Sequence, residues 1–136
     1  MNQREVKVRK VFYIAGPYRG DSKEGVISNI KKAREVSLDL WIRGYAAVCP
    51  HMNTAFFDHH MEDRDILEGD LAILSKCDGI VVLPGWESSQ GTLQEIRFAG
   101  ERDIPTYLWT SRGRLRPIDS SLDLTLKGGE KNAESI

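Results

Sequence analysis

The chain has 136 residues, 40% of them hydrophobic and 29% charged, which suits one domain with a real core. Its formal net charge of -1 leaves no broad basic field for duplex nucleic acid or an anionic membrane surface, so a small ligand is the expected partner. Only two cysteines, Cys49 and Cys77, are present, without zinc-site spacing; no apolar run reaches transmembrane length and MNQREVKVRK lacks a signal peptide's apolar segment. The cytoplasm is the expected compartment, both cysteines read as small buried hydrophobes, and no metal or cofactor is expected.

In chain order, a charged lead-in precedes Val11 to Ala15 (VFYIA), the first expected strand, which Gly16-Pro17 breaks. The polar loop GPYRGDSKEG follows. Val26, Ile30, Ala33, Val36 or Ser37, and Leu40 with Trp41 then recur at helical spacing as far as Gly44, a good C-terminal stop. Tyr45 to Cys49 (YAAVC) reads as a second strand, and Pro50-His51 opens the less regular MNTAFFDHHMEDRD. Its Phe56-Phe57 pair reads as a core plug in preference to a mobile lid, because exposed aromatic pairs are costly. From about Asp63 to Lys76 the helical period returns, with Leu67, Leu71 and Leu74 on one face.

The stretch from Asp78 to Ala99, DGIVVLPGWESSQGTLQEIRFA, carries the third strand at Gly79 to Leu83, ended by Pro84-Gly85. Ser88, Ser89 and Thr92 offer capping oxygens ahead of a helix marked by Leu93, Ile96 and Ala99. Thr106 to Trp109 (TYLW) is the fourth strand. Beyond it, LDLTL is read as an edge strand or a segment packing on a neighbouring subunit, and residues from about Lys127 as a disordered tail. The expected organisation is one domain over 1–126 and a tail over 127–136.

Strands alternating with helices imply right-handed crossovers in a parallel sheet. The expected fold is α/β, a three-layer flavodoxin-like (Rossmann-like) sheet of four to five strands in the order 2-1-3-4, with any fifth at the end. Chain direction then reverses between strands one and three, and GPYRGD and PGWESSQG flank that crevice. Three residues are out of place for pure architecture: Tyr13 inside the first strand, Asp70 between Leu67 and Leu74, and Glu95 beside Ile96. Two carboxylates on inward stripes suggest paired acid and nucleophile roles at a glycosidic bond. Structural readings stay open beside this: a local cap or salt bridge for Asp70, an ion pair with Arg97, Arg102 or a neighbouring chain for Glu95, plain core for Tyr13.

YIAGPYRG at Tyr13 to Gly20, GDLAILSKCDGIVVL at Gly69 to Leu83 and SSQGTLQEIRFA at Ser88 to Ala99 resemble the nucleoside 2-deoxyribosyltransferase superfamily. The resemblance is nearest to its 2'-deoxynucleoside 5'-phosphate N-hydrolase-like and small, phage-type branch. It implies that Glu95 is a nucleophile for the anomeric carbon, that Tyr13 orients it, and that Asp70 protonates the departing base. In the transferases an aspartate six residues before the nucleophile holds the sugar 5'-hydroxyl; here Ser89 stands there, which suits a phosphate. Arg19 resembles the phosphate-binding arginine of the hydrolases, and His51 falls where they have a histidine near the ligand. Gly16, Ser88 and Gly91 complete the expected ligand-binding set, and Trp86 is expected to stack on a base or block the pocket. The implied activity is hydrolysis of a (deoxy)nucleoside 5'-monophosphate to base and sugar phosphate, with base exchange or a non-catalytic nucleotide-binding module as alternatives. The small-molecule nucleotide is the expected partner, together with a second copy of the chain in a homo-oligomer.

Overall fold

A computed structural model describes residues 5–110 and 113–118. Strands β1 (Val11–Ala15), β2 (Ala46–Val48), β3 (Gly79–Val82), β4 (Thr106–Trp109) and β5 (Leu115–Ile118) form one sheet in the order β2-β1-β3-β4-β5. The first four are parallel, and β5 lies antiparallel to β4 with Trp109 opposite Leu115. Helices α1 (Lys23–Ile42), α2 (Pro50–Asn53), α3 (Asp63–Leu74) and α4 (Gln90–Glu101) fill the connections. The expected α/β order is the one present. Its fifth strand lies at Leu115–Ile118, and LDLTL and the expected tail fall outside the described residues.

The central strands β1, β3 and β4 alternate their side chains between two cores, as strands covered on both faces must. Tyr13, Ala15, Ile80, Val82 and Leu108 meet Leu74 of α3 and Ile96 and Ala99 of α4. Phe12, Ile14, Val81 and Leu83 meet Ala33, Val36 and Leu40 of α1 on the other side. Among the described residues no helix is long and apolar enough to cross a membrane.

Two glycines bring the loops after β1 and β3 together. A Cβ on Gly16 would stand 2.8 Å from the Leu83 side chain, so only glycine lets the first loop pass so close to the end of β3. Gly85 sits at φ +91, where a side chain would be strained, and turns the chain into the 3-10 turn Trp86–Ser88 that leads to α4. The crevice between β1 and β3 is thereby walled by both loops.

One expectation is overturned here. Phe56 and Phe57 are both exposed instead of plugging the core. The reason is the backbone: Phe56 takes a left-handed φ of 64 and its N–H donates to the Tyr18 hydroxyl at 2.7 Å, which carries both rings out over the segment after α2.

Candidate active site

Strand alternation sends Tyr13 to the α3 and α4 side of the sheet, where it is fully buried. On α4 the inward stripe is Thr92, Glu95, Ile96 and Ala99, so the helical period drives Glu95 into the same space, with 8% of its surface exposed. The Tyr13 hydroxyl donates to Glu95 Oε2 across 82 residues of sequence. Neither Arg97 nor Arg102 pairs with Glu95 among the described residues; the Arg102 guanidinium lies over the Phe98 ring at 4.4 Å. Asp70, half-buried on α3, forms no ion pair among the described residues and lines the same cleft.

Burial pushes the Glu95 carboxyl up to about 8; the Tyr13 hydrogen bond opposes this and the charge of Asp70 adds to it. Burial alone lifts Asp70 to about 6. Asp70 therefore ionises first, while Glu95 is still neutral, and Glu95 alone must ionise against a neighbouring negative charge. Burial, the Glu95 and Asp70 charges, and the hydrogen bond all raise Tyr13, so its phenol stays protonated and can act only as the donor in this pair. Between about pH 6 and pH 8 the two carboxyls hold one proton. That proton sits mainly on Glu95, so the form with Asp70 as acid and Glu95 as nucleophile is the minor one of the pair and is reached by moving the proton from Glu95 to Asp70.

Asp70 and Glu95 line a cleft of about 1050 Å³ bounded by Gly16 to Arg19, His51, the loop from Ser88 and the facing sides of α3 and α4, with Tyr13 fully buried and bonded to Glu95. Gly16, Arg19, His51, Ser88, Ser89, Gly91, Asp70 and Glu95 all line it. Trp86 does not: it is 3% exposed and packs in the core with Ile80, Ile96 and Leu108, where the turn after Gly85 directs its ring. It neither faces a base nor closes the pocket.

Several roles are more constrained than residue type alone suggested. Ser89 is the N-cap of α4 and its Oγ accepts from Thr92 N–H at 3.3 Å and from Thr92 Oγ1 at 2.8 Å. Ser88 Oγ donates to Gly85 O at 3.1 Å. The first amides of α4, including that of Gly91, have no intrahelical partner and form an anion-attracting end. Arg19 stands at the rim, 62% exposed, ion-paired with Asp63 at the start of α3 and 4.0 Å from Asp58. Its loop is held by Asn29, whose Nδ2 donates to Tyr18 O and Arg19 O, each at 3.1 Å. His51 is buried, with Nε2–H donating to Pro17 O at 2.9 Å; burial lowers its pKa, and Nδ1 has no partner among the described residues.

Tyr18, Asp58, Gln94 and Phe98 also line the cleft and were not anticipated as site residues. Gln94 and Phe98 could have been found, since Gln90, Gln94, Phe98 and Glu101 recur at helical spacing beside Glu95. Asp58 lies in an irregular segment and gave no such signal.

Residues 10–108 match a family described as "Domain of unknown function (DUF7768)". No curated protein matches the chain. Among solved structures, a 2-deoxyribosyltransferase from the psychrotolerant bacterium Bacillus psychrosaccharolyticus, described as a biocatalyst for nucleoside synthesis, superimposes with a TM-score of 0.51 at 20% identity, covering 72% of this chain and 70% of that one. A conserved protein from Enterococcus faecalis V583 gives a TM-score of 0.54 at 22% identity, covering 76% of this chain and 65% of that one. At such identities the likeness is one of fold. The chain thus belongs to the family described as Domain of unknown function (DUF7768), and it has the 2-deoxyribosyltransferase-like fold.

Proposed function

We propose that the chain is an N-glycosidase that hydrolyses the base-sugar bond of a (deoxy)nucleoside 5'-monophosphate through a covalent glycosyl-Glu95 intermediate, as in the N-hydrolase-like branch it resembles. One domain over 1–126 carries this activity. The observation behind the reading is the buried Glu95 held by the Tyr13 hydroxyl in a cleft that also contains Asp70. In the first half, once the shared proton has passed from Glu95 to Asp70, a Glu95 carboxylate oxygen bonds to the anomeric carbon while the C–N bond breaks towards the base, which takes that proton from Asp70. In the second, water gives its proton to the Asp70 carboxylate and its oxygen to the anomeric carbon, and the ester to Glu95 is released. Tyr13 fixes the carboxylate that must reach the sugar and stabilises its charge.

The proton inventory sets the pH dependence. Below about 6 both carboxyls are protonated and above about 8 neither can donate; between these limits the pair holds one proton, and the reactive form is the minor one that carries it on Asp70 and leaves Glu95 ionised. A plot of kcat/KM against pH should be a bell with limbs near these values. Asp70→Asn should remove the alkaline limb and slow poor leaving bases more than good ones. A flat profile, or equal losses for all bases, would remove Asp70 as the acid.

Base exchange is the second reading, favoured by the rim: Arg19 already faces the carboxylates Asp63 and Asp58, which makes the mouth less cationic than an unpaired arginine would. Incubation with each deoxynucleoside and its monophosphate, with and without a second free base, separates the readings by chromatography. Base release from monophosphates alone supports hydrolysis, transfer to the added base supports exchange, and binding without turnover leaves a nucleotide-binding module.

A further inference from the structure

Two buried acceptor atoms in the cleft residues have no donor among the described residues: His51 Nδ1 and Asp58 Oδ1. His51 is 5% exposed. Its Nε2 faces Pro17 O at 2.9 Å, and a carbonyl can only accept, so Nε2 carries the hydrogen. Burial lowers the pKa of the ring, which keeps it neutral and leaves Nδ1 a lone pair. Asp58 lies in the 3-10 turn Phe57–His59; its Oδ2 is 4.0 Å from Arg19, and Oδ1 is the oxygen left over. Tyr18 ties both to one wall of the cleft, its ring 6.0 Å from that of His51 and its hydroxyl accepting from the N–H of Phe56, two residues before Asp58. A buried polar atom without a partner costs free energy, so this corner calls for a ligand that donates.

Two acceptors need two donor hydrogens, and one hydroxyl carries only one. On the glycosidase reading, on which this rests, the anomeric carbon is at Glu95 and the phosphate at Arg19. The part of the substrate between those points is the sugar, and its neighbouring donors are the 2'- and 3'-hydroxyls of ribose. An amino group of the base would lie beyond the anomeric carbon, towards Asp70. Carboxylates take ribose hydroxyls in the same way at dinucleotide sites.

We propose that Asp58 Oδ1 and His51 Nδ1 accept from the 3'- and 2'-hydroxyls of ribose, so that the cleft takes a ribonucleoside 5'-monophosphate in preference to its 2'-deoxy form. Asp58, beside Arg19, has the hydroxyl nearer the phosphate. His51 has the one next to the anomeric carbon, where hydrogen bonds to the 2-hydroxyl strengthen as a glycosidic bond breaks. Titration calorimetry tests this on the full chain carrying Glu95→Gln, with adenosine, 2'-deoxyadenosine and 2',3'-dideoxyadenosine 5'-monophosphates, a series that holds base and phosphate constant. Removing each hydroxyl in turn should weaken binding about tenfold. Asp58→Ala should abolish the second step and keep the first, and Asp58→Asn, which retains an oxygen, should restore part of it. His51→Phe should abolish the first step. If that variant does not fold, the two steps in the parent and the Asp58 variants decide. Failure to bind any of the three, equal binding of all three, or tightest binding of a form lacking a hydroxyl would overturn the proposal. So would Asp58→Ala weakening all three by one factor, which marks a base contact or a merely structural role. Base release by the wild type is followed on the same three compounds: none released, with both binding steps intact, would remove the glycosidase reading and leave the ribose corner standing.

Discussion

Glu95→Gln should lose at least about a thousandfold in base release and yet unfold at a higher temperature at pH 7. The first effect follows from chemistry. An amide cannot form the ester to the anomeric carbon, and the group removed acts chiefly in the transition state, so nucleotide binding should change far less than turnover. The second follows from linkage. The carboxyl titrates near 8 in the folded chain and near 4.5 when unfolded, so the folded state holds a proton that the unfolded state has lost. Stability from this group is therefore full below about 4.5 and falls as pH rises towards 8. At pH 7 the deficit is about 3 kcal/mol, large against a total of roughly 5–15 kcal/mol. Glutamine has nothing to ionise and keeps an oxygen for the Tyr13 hydroxyl. Thermal unfolding at pH 7 should show a gain of several degrees that disappears at pH 4, where both chains are neutral at this position. Near wild-type turnover in this variant would end the nucleophile assignment, and a lower melting temperature at pH 7 would show that burial does not oppose the charge.

Monophosphates should exceed their nucleosides by on the order of a hundredfold in kcat/KM, from two charge-assisted contacts of roughly 1.5–3 kcal/mol each. Arg19 and the N-terminal amides of α4 would supply them. The ion pair between Arg19 and Asp63 does not forbid this: its partners are 62% and 69% exposed, and an exposed pair contributes only about 0–1 kcal/mol. A phosphate dianion can take the guanidinium from Asp63 at little cost. Arg19→Ala should weaken monophosphates and barely affect nucleosides, whereas Asp63→Asn should widen the preference by freeing Arg19. Ser89→Asp should shrink or reverse it, because aspartate caps α4 as well as serine does while placing a negative charge at the phosphate position. Steady-state kinetics on matched pairs of substrates decides. A wild type that prefers the bare nucleoside would transfer the case to base exchange.

The sequence by itself determined the order of strands and helices, because the periods of burial are local: VFYIA, GIVV and TYLW are strands, and the leucine stripe of 67, 71 and 74 is a helix. It also marked Tyr13, Asp70 and Glu95, since a polar group on an apolar stripe is visible without coordinates. What only the tertiary structure decided is which groups meet. Tyr13 and Glu95 are 82 residues apart, and their hydrogen bond exists because strand alternation and the α4 stripe point both at the same side of the sheet. Arg19 was legible as a cation but not as the partner of Asp63, which depends on how the segment after α2 returns to start α3. Trp86 and the Phe56-Phe57 pair went the other way from expectation, one into the core and two into solvent, because a left-handed residue at Gly85 and at Phe56 sets the direction of the chain there. Burial in a loop is decided by backbone turns and by contacts distant in sequence, and no local period records either.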